Sequence, residues 1–501
     1  MTAPSRRDTR IGANAVRTGI VLAVTFALIA TGAGYWQVVE AQKLSTAPDN
    51  PAVIAIARRT LRGAIVDRNG AWLARSVKDK NGEAQRQYRD RSLSGVLGYA
   101  SARYGTAGLE RAYSTQLLGI GDADPVHQLT AKFDPRPVKP LTVELALDLR
   151  LQEAAVAGLG KDSGAVVMLD PATGEILALA STPTYDEGAV SNPATADDAF
   201  AALQANANSP LLPRATQGRY VPGSVFKVVT AIAGLDSGAI TGTTTFPQQP
   251  GAEAKGLLVD GFRIKDGHHP ATGGTALDLV GATEVSCNIW YALAGLAIGG
   301  GRLVEEAAKL GFGAPIPFDL PTAASRLNDG TGSAPGGFAD DVELANAAFG
   351  QGGTFVTPLQ MALVAAAVAN DGVLMRPHLV TALQGTAGGA RTVGPESWNR
   401  VLTSAQADLL KAAMQQAVEG DLGRMYTVGA AVPGIPTAGK SGTAQVVGSP
   451  DPHSWFIGFA PVDHPKVVIA VLVANGGHGA ERAAPLAGLL MANYFALYGK
   501  P

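Results

Sequence analysis

Residues 222–235 read Pro-Gly-Ser-Val-Phe-Lys-Val-Val-Thr-Ala-Ile-Ala-Gly-Leu. The Pro-Gly pair marks a turn, and the apolar run from Val225 to Leu235 predicts a buried helix. Ser224 then stands near a helix N-terminus, with Lys227 three residues on and on the same face. A serine hydroxyl is a poor nucleophile until a base removes its proton. A buried lysine near other cations has a depressed pKa and can be that base. The helix N-terminus also aims backbone N–H groups at developing negative charge. The plain alternative is a helix cap beside a solvated lysine, since Ser-x-x-Lys arises about once or twice by chance in a chain this long.

Two further short motifs follow in order: Ser286-Cys287-Asn288, and Lys440-Ser441-Gly442-Thr443 at the start of a strand-like run. Each is weak alone. Together, in order and in helix or strand contexts, they form the constellation of serine β-lactamases and penicillin-binding proteins. Around them the chain alternates recognisable elements. Gly164 to Asp170 and Glu175 to Ser181 are apolar runs separated by Pro171-Ala-Thr-Gly174, which predicts an antiparallel hairpin. Alanine-rich helical stretches lie around 225–237, 275–300, 302–310 and 358–371. Ser454 to Ala460 and Val467 to Val473 read as strands, and a helix over about 481–498 closes the chain. Strands at both ends with helices between predict one sheet built from both ends with a helical insert, an α/β (α+β) fold.

The chain has 501 residues, a formal net charge of −2 and one cysteine, Cys287. Mean hydropathy is +0.12 and only 16% of residues are charged, so a large core is available and global disorder is excluded. The balanced charge argues against nucleic-acid binding. A single cysteine excludes a disulfide framework. Residues 18–39 carry no charge and follow Arg6, Arg7, Arg10 and Arg17. Their length suffices for a bilayer span, and the positive-inside rule keeps the N-terminus cytoplasmic and exports the rest. A cleaved signal peptide, with Ala30 and Gly32 near the cut, is the competing reading. No phosphate-cradling loop is present. Asp67-Arg-Asn-Gly70 predicts a tight turn between two strands, and Ala123 to Pro140 reads as a linker. Cys287 reads as a buried small residue, His268-His269 as a surface loop, Gly299 to Gly301 as a helix end and Gly350 to Gly353 as a tight turn under the domain. His453 is balanced between a structural place and the edge of the site. Glu305 and Glu306 read as helix-surface residues.

From residue 60 onward the sequence resembles the class B penicillin-binding proteins, the monofunctional peptidoglycan transpeptidases. Arg62-Gly-Ala-Ile-Val-Asp-Arg-Asn-Gly70, and Gly108-Leu-Glu110 with Tyr113, look like motifs of the family's non-catalytic module. Gly164 to Ser181, Gly350-Gln-Gly352, Thr357-Pro-Leu-Gln-Met361 and His453 to Pro461 are similar to segments of its transpeptidase domain. The short non-catalytic module is like that of penicillin-binding protein A. Ser441 stands where many members have threonine, which keeps the hydroxyl.

The resemblance implies a penicillin-binding transpeptidase fold: a five-stranded antiparallel sheet flanked by helices, plus an all-helical subdomain. It implies a cytoplasmic tail (1–17), an anchor (18–39), a pedestal module (40–150) and a transpeptidase domain (151–501). It implies that Ser224 attacks the penultimate D-alanine of a peptidoglycan stem peptide, expels the terminal D-alanine and passes the acyl group to a neighbouring amine. Lys227 would be the base, and Ser286 would relay the proton. Asn288 would bind the donor backbone, and Lys440 would supply positive charge that keeps Lys227 unprotonated. Ser441, Gly442 and Thr443 would bind the substrate end, and the backbone N–H groups of Ser224 and Thr443 would form the oxyanion hole. β-Lactams would acylate Ser224. A SEDS-family glycosyltransferase and other cell-wall membrane proteins are the implied partners, through the anchor and the basic stretch from Arg58 to Arg68; no cofactor or metal is implied. A serine β-lactamase or D,D-carboxypeptidase, and a non-catalytic scaffold or β-lactam sensor, remain the alternatives.

Overall fold

Strands Gly164–Leu169 and Ile176–Thr182 form the expected hairpin, joined in the computed structural model to three strands from the far end of the chain. The structure describes residues 6–36, 60–80, 82–119, 140–266, 274–385 and 389–499. The sheet order is Ala438–Ala444, His453–Ala460, Val467–Val473, Gly164–Leu169, Ile176–Thr182, with every neighbouring pair antiparallel. Successive side chains point to opposite faces. Ala165, Val167 and Leu169 pack into one core with helix Pro358–Ala369, while Val166 and Met168 pack into another with helices Leu149–Leu159 and Ala483–Tyr498. Coverage of both faces explains why the strands read as unbroken apolar runs. In helix Pro358–Ala369, Thr357 is the N-cap and accepts the Gln360 N–H at 3.1 Å, and Pro358 takes the first turn, where no N–H is needed.

The helical insert differs from the sequence reading at one point. The stretch 275–300 is two helices, Leu279–Glu284 and Asn288–Ile298, broken at Val285 to Cys287. Gly299 ends the second with a φ of +80°. Glu306 is a correction: it is 9% exposed, with Lys309 bonded both to it and to Asp236, because its side of helix Gly300–Lys309 packs inward.

Upstream, the turn at Asp67 to Gly70 joins strands Ile65–Val66 and Trp72–Lys78, with the Asp67 carboxylate accepting the N–H groups of Asn69 and Ala71 at 2.9 and 2.8 Å. These strands belong to a six-stranded sheet ordered Ala390–Thr392, Val380–Gln384, Thr142–Leu145, Ile65–Val66, Trp72–Lys78, Ala84–Tyr88. Two of its strands therefore return from residues 380–392, inside the stretch read as transpeptidase, and no sequence motif announced them. Beneath the sheet, Glu110 is fully buried between Arg62 at 2.9 Å and Arg86 at 2.6 Å. Burial alone would raise its carboxyl; the charges of Arg86 and Arg62 more than offset that and hold it below the usual range. Arg62, only 8% exposed, is thus a core residue and is withdrawn as a partner contact. Tyr113 donates to Asp319 at 2.5 Å, and Asp319 also accepts the Leu379 N–H at 2.6 Å, tying this module to the rest.

Helix Arg6–Gly34 contains a 22-residue apolar segment, Ala13–Gly34, long enough to cross a bilayer and unburied among the described residues. His268-His269, Arg58, Arg59 and the linker stretch 123–139 lie outside the described residues.

Glu110→Ala leaves two buried guanidinium groups facing each other without a counter-charge. It is expected to cost the pedestal about 3–5 kcal/mol, measured as an earlier urea transition of this module, while Arg111→Ala on the exposed side changes little.

Candidate active site

Gly223 opens the site. Its φ is +57°, and a Cβ there would lie 2.8 Å from the Thr443 carbonyl oxygen. Only glycine lets the turn Gly223–Phe226 press against the edge strand Ala438–Ala444. Gly350 closes in from behind: a Cβ on it would stand 2.0 Å from the Gly223 carbonyl oxygen, and its own carbonyl accepts the Gly223 N–H at 2.8 Å. The Gly350 to Gly353 turn, expected beneath the domain, instead backs the Ser224 turn, and Gln351 and Gly352 form part of the cleft wall. Ser224 is half-buried and faces a cleft of about 770 Å³.

Lys227 begins helix Lys227–Asp236 and is fully buried. Its Nζ donates to the Ser286 carbonyl at 2.5 Å, to Ser286 Oγ at 3.1 Å and to Asn288 Oδ1 at 2.7 Å. All three N–H bonds of an ammonium group are thereby used. Among the described residues no hydrogen bond joins Lys227 to Ser224; the lysine is engaged with the second motif. Burial lowers Lys227 to about 8, with Asp266 opposing the shift. Ser286 is held at φ +58°, a left-handed conformation that costs a non-glycine residue about 1 kcal/mol or more and recurs at active sites.

The third motif occupies the middle of the edge strand rather than its start. Lys440 is 1% exposed and donates to the Ser441 carbonyl at 3.1 Å. Burial first, and the Lys227 charge second, push Lys440 well below its ordinary value. Burial thus lowers both lysines, and as like charges in one buried region each disfavours protonation of the other. Ser441 and Thr443 line the cleft, and Thr443 Oγ1 accepts the Gly479 N–H at 3.1 Å, which leaves its proton free to donate. Gly442 carries no side chain because a Cβ would stand 2.8 Å from the Pro222 carbonyl oxygen.

Several cleft residues had no motif to reveal them. Phe262, Arg263 and Asp266 come from the hairpin Leu257–Val259/Phe262–Ile264 and its exit; Asn346, Tyr426 and His478 complete other walls. Asp266 accepts the Asn288 N–H at 2.8 Å and the Cys287 thiol at 2.9 Å. Cys287 is buried, and burial, followed by Asp266, raises its thiol, in keeping with an unreactive side chain. His453 falls on the structural side. It sits in the second strand beside Tyr220, its Nδ1 accepts the Asn475 N–H at 3.0 Å, and burial lowers it to about 4.

A serine in a cleft, a buried lysine gripped by Ser-x-Asn and a Lys-Ser-Gly edge strand define a chemical class, and the comparisons identify it. Residues 164–492 match the penicillin-binding protein transpeptidase domain, and residues 62–138 match the penicillin-binding protein A dimerisation domain. The chain belongs to the penicillin-binding transpeptidase family. It is 33% identical to the peptidoglycan D,D-transpeptidase PbpA of Mycolicibacterium smegmatis, over 94% of this chain and 96% of that one. It is 29% identical to MrdA of Escherichia coli K12, over 83% of this chain and 67% of the relative. Among solved structures, the penicillin G acyl-enzyme complex of penicillin-binding protein A from M. tuberculosis superposes with a TM-score of 0.74 at 31% identity, covering 87% of this chain and 100% of that one.

Gly350→Ala forces the Gly223 carbonyl away and displaces Ser224. A fall of about a hundredfold in the rate of penicillin acylation is expected, with the fold retained by circular dichroism. Cys287 is expected to stay unalkylated by iodoacetamide in the folded protein and to react fully in urea, as read by intact mass.

Proposed function

We propose that the chain is a membrane-anchored peptidoglycan D,D-transpeptidase that works through an acyl-enzyme on Ser224. The observation that carries this is the grip of Ser286 and Asn288 on Lys227 Nζ beside Ser224, facing hydroxyls of Ser441 and Thr443 across one cleft. A stem peptide lies along the edge strand, its terminal carboxylate on the Ser441 and Thr443 hydroxyls and near Lys440. Negative charge arriving there is paired by the Lys440 ammonium; Lys227 reacts as the neutral amine that burial favours, and its lone pair takes the Ser224 proton. Ser224 Oγ bonds to the penultimate D-alanine carbonyl carbon. The backbone N–H groups of Ser224 and Thr443 hold the oxyanion, each contributing about 3–4 kcal/mol. Ser286 relays that proton from Lys227 to the D-alanine nitrogen as its bond to the carbonyl carbon breaks, and Asn288 holds the donor backbone; an amine from a second stem then attacks the same carbon, its proton passes through Lys227 to Ser224 Oγ, and the ester bond to Oγ breaks.

The division is a tail at 1–17, an anchor at 18–39, a pedestal at 40–150 completed by strands from 380–392, and a transpeptidase domain at 151–501. The arginines ahead of the apolar helix support a cytoplasmic N-terminus. The anchor helix, unburied among the described residues, is the surface offered to a SEDS-family glycosyltransferase. Hydrolytic turnover is disfavoured: among the described residues the carboxylate in the cleft is that of Asp266, whose two oxygens already accept the Asn288 N–H and the Cys287 thiol.

Intact-mass analysis with benzylpenicillin is expected to show one long-lived adduct on the wild type, none on Ser224→Ala, and acylation slowed by about 10²–10⁴-fold on Lys227→Ala. Drug hydrolysed without an adduct would make the protein a β-lactamase instead; drug left intact would point to a scaffold.

A further inference from the structure

Asp266 has no place in the three motifs, yet it lies one residue removed from the base. Its Oδ1 accepts the backbone N–H of Asn288 at 2.8 Å, and its Oδ2 accepts the Cys287 thiol at 2.9 Å. These two residues begin helix Asn288–Ile298, where a carboxylate complements the positive end of the helix dipole. Asn288 in turn offers Oδ1 to Lys227 at 2.7 Å, and the adjoining Ser286 offers its carbonyl and hydroxyl from a left-handed backbone that needs support on its C-terminal side.

We propose that Asp266 is a positioning residue of the transpeptidase reaction, a carboxylate that clamps Cys287 and Asn288 so that Ser286 and Asn288 hold Lys227, and whose charge sets how tightly Lys227 keeps its proton. The proposal rests on the Ser224 acyl-enzyme reading. Among the described residues several groups face this pair. Lys440 shares the dry interior with Lys227, and the Tyr291 ring lies 5.6 Å from Lys227 Nζ. Tyr426 faces Asp266, whose charge adds to burial in raising that phenol to about 12. Cys287 stays a neutral thiol. Arg263 and Lys265, from the same hairpin as Asp266, line the open cleft. An ordinary helix cap needs only an acceptor, which asparagine also supplies; a group that tunes Lys227 needs the charge.

Asp266→Asn removes the charge while its amide oxygen still accepts the Asn288 N–H, its NH2 then facing the Cys287 sulfur. The measurement is the second-order rate of benzylpenicillin acylation against pH, on the detergent-solubilised full chain, with thermal unfolding recorded alongside. Acylation requires neutral Lys227, so the wild-type rate rises with pH through about 8. Loss of a negative charge that favours the protonated amine is expected to move this midpoint down by about one pH unit. Asp266→Glu keeps the charge on a longer arm; it is expected to hold the wild-type midpoint while the plateau falls about ten- to hundredfold from misplaced geometry. A wild-type midpoint in Asp266→Asn, whatever happens to its melting temperature, would overturn the proposal. So would an Asp266→Glu midpoint as far displaced as that of Asp266→Asn, which keeps the test open if the asparagine variant does not fold. A wild type that forms no adduct would overturn the acyl-enzyme reading itself, and the role of Asp266 with it.

Discussion

An ammonium group sealed from water must find an acceptor for each of its N–H bonds, because an unpaired buried charge is costly. Lys227 meets that demand with Ser286 and Asn288 alone. Two segments some sixty residues apart are thereby locked together, and the geometry of the helical insert follows. The break between Leu279–Glu284 and Asn288–Ile298 presents a carbonyl, a hydroxyl and an amide at one point. A continuous helix would direct the Ser286 carbonyl into its own ladder of hydrogen bonds. The left-handed Ser286 is the local cost of freeing it.

The opposite wall answers to a different constraint, close approach of backbone to backbone. The edge strand leaves one side unpaired in the sheet, and the Ser224 turn comes against it closely enough that Gly223 and Gly442 have no room for a side chain. The mobile chemistry of hydroxyl and amine is set in a frame whose main-chain atoms are nearly in contact, which keeps reorganisation during reaction small.

Much of this was legible in the sequence where function needs particular residue types at short spacing. The gathering of Ser224, Lys227, Ser286, Asn288, Lys440, Ser441 and Thr443 could be read from their motifs, and the apolar runs at 164–182 and 453–473 yielded four of the five strands because covered faces demand apolar residues throughout, the fifth being the Lys-Ser-Gly strand itself. Asp266 could not be read so. A single aspartate after a short hairpin carries no periodicity, and its meaning lies in meeting Cys287 and Asn288 across space. Arg62 and Glu306 were misplaced for the converse reason: charged residues are exposed by default, and the partners that let them enter the core, Glu110 and Lys309, act across space or within a helical turn. Residues 380–392 were missed because a strand completing a distant sheet looks locally like any surface hairpin.

That borrowed hairpin also bears on how the two modules move. Val380–Gln384 pairs with Thr142–Leu145, and the Leu379 N–H is bonded to the aspartate that holds Tyr113. A load on Ile65–Val66 passes sideways through the sheet ladder to Val380, which follows the Pro358–Ala369 helix on which the five-stranded sheet rests. Hydrogen bonds loaded across a sheet in this way stretch together rather than peel one by one. The two modules share one hydrogen-bonded ladder, and a fragment cut at residue 150 would carry away an unsealed sheet edge.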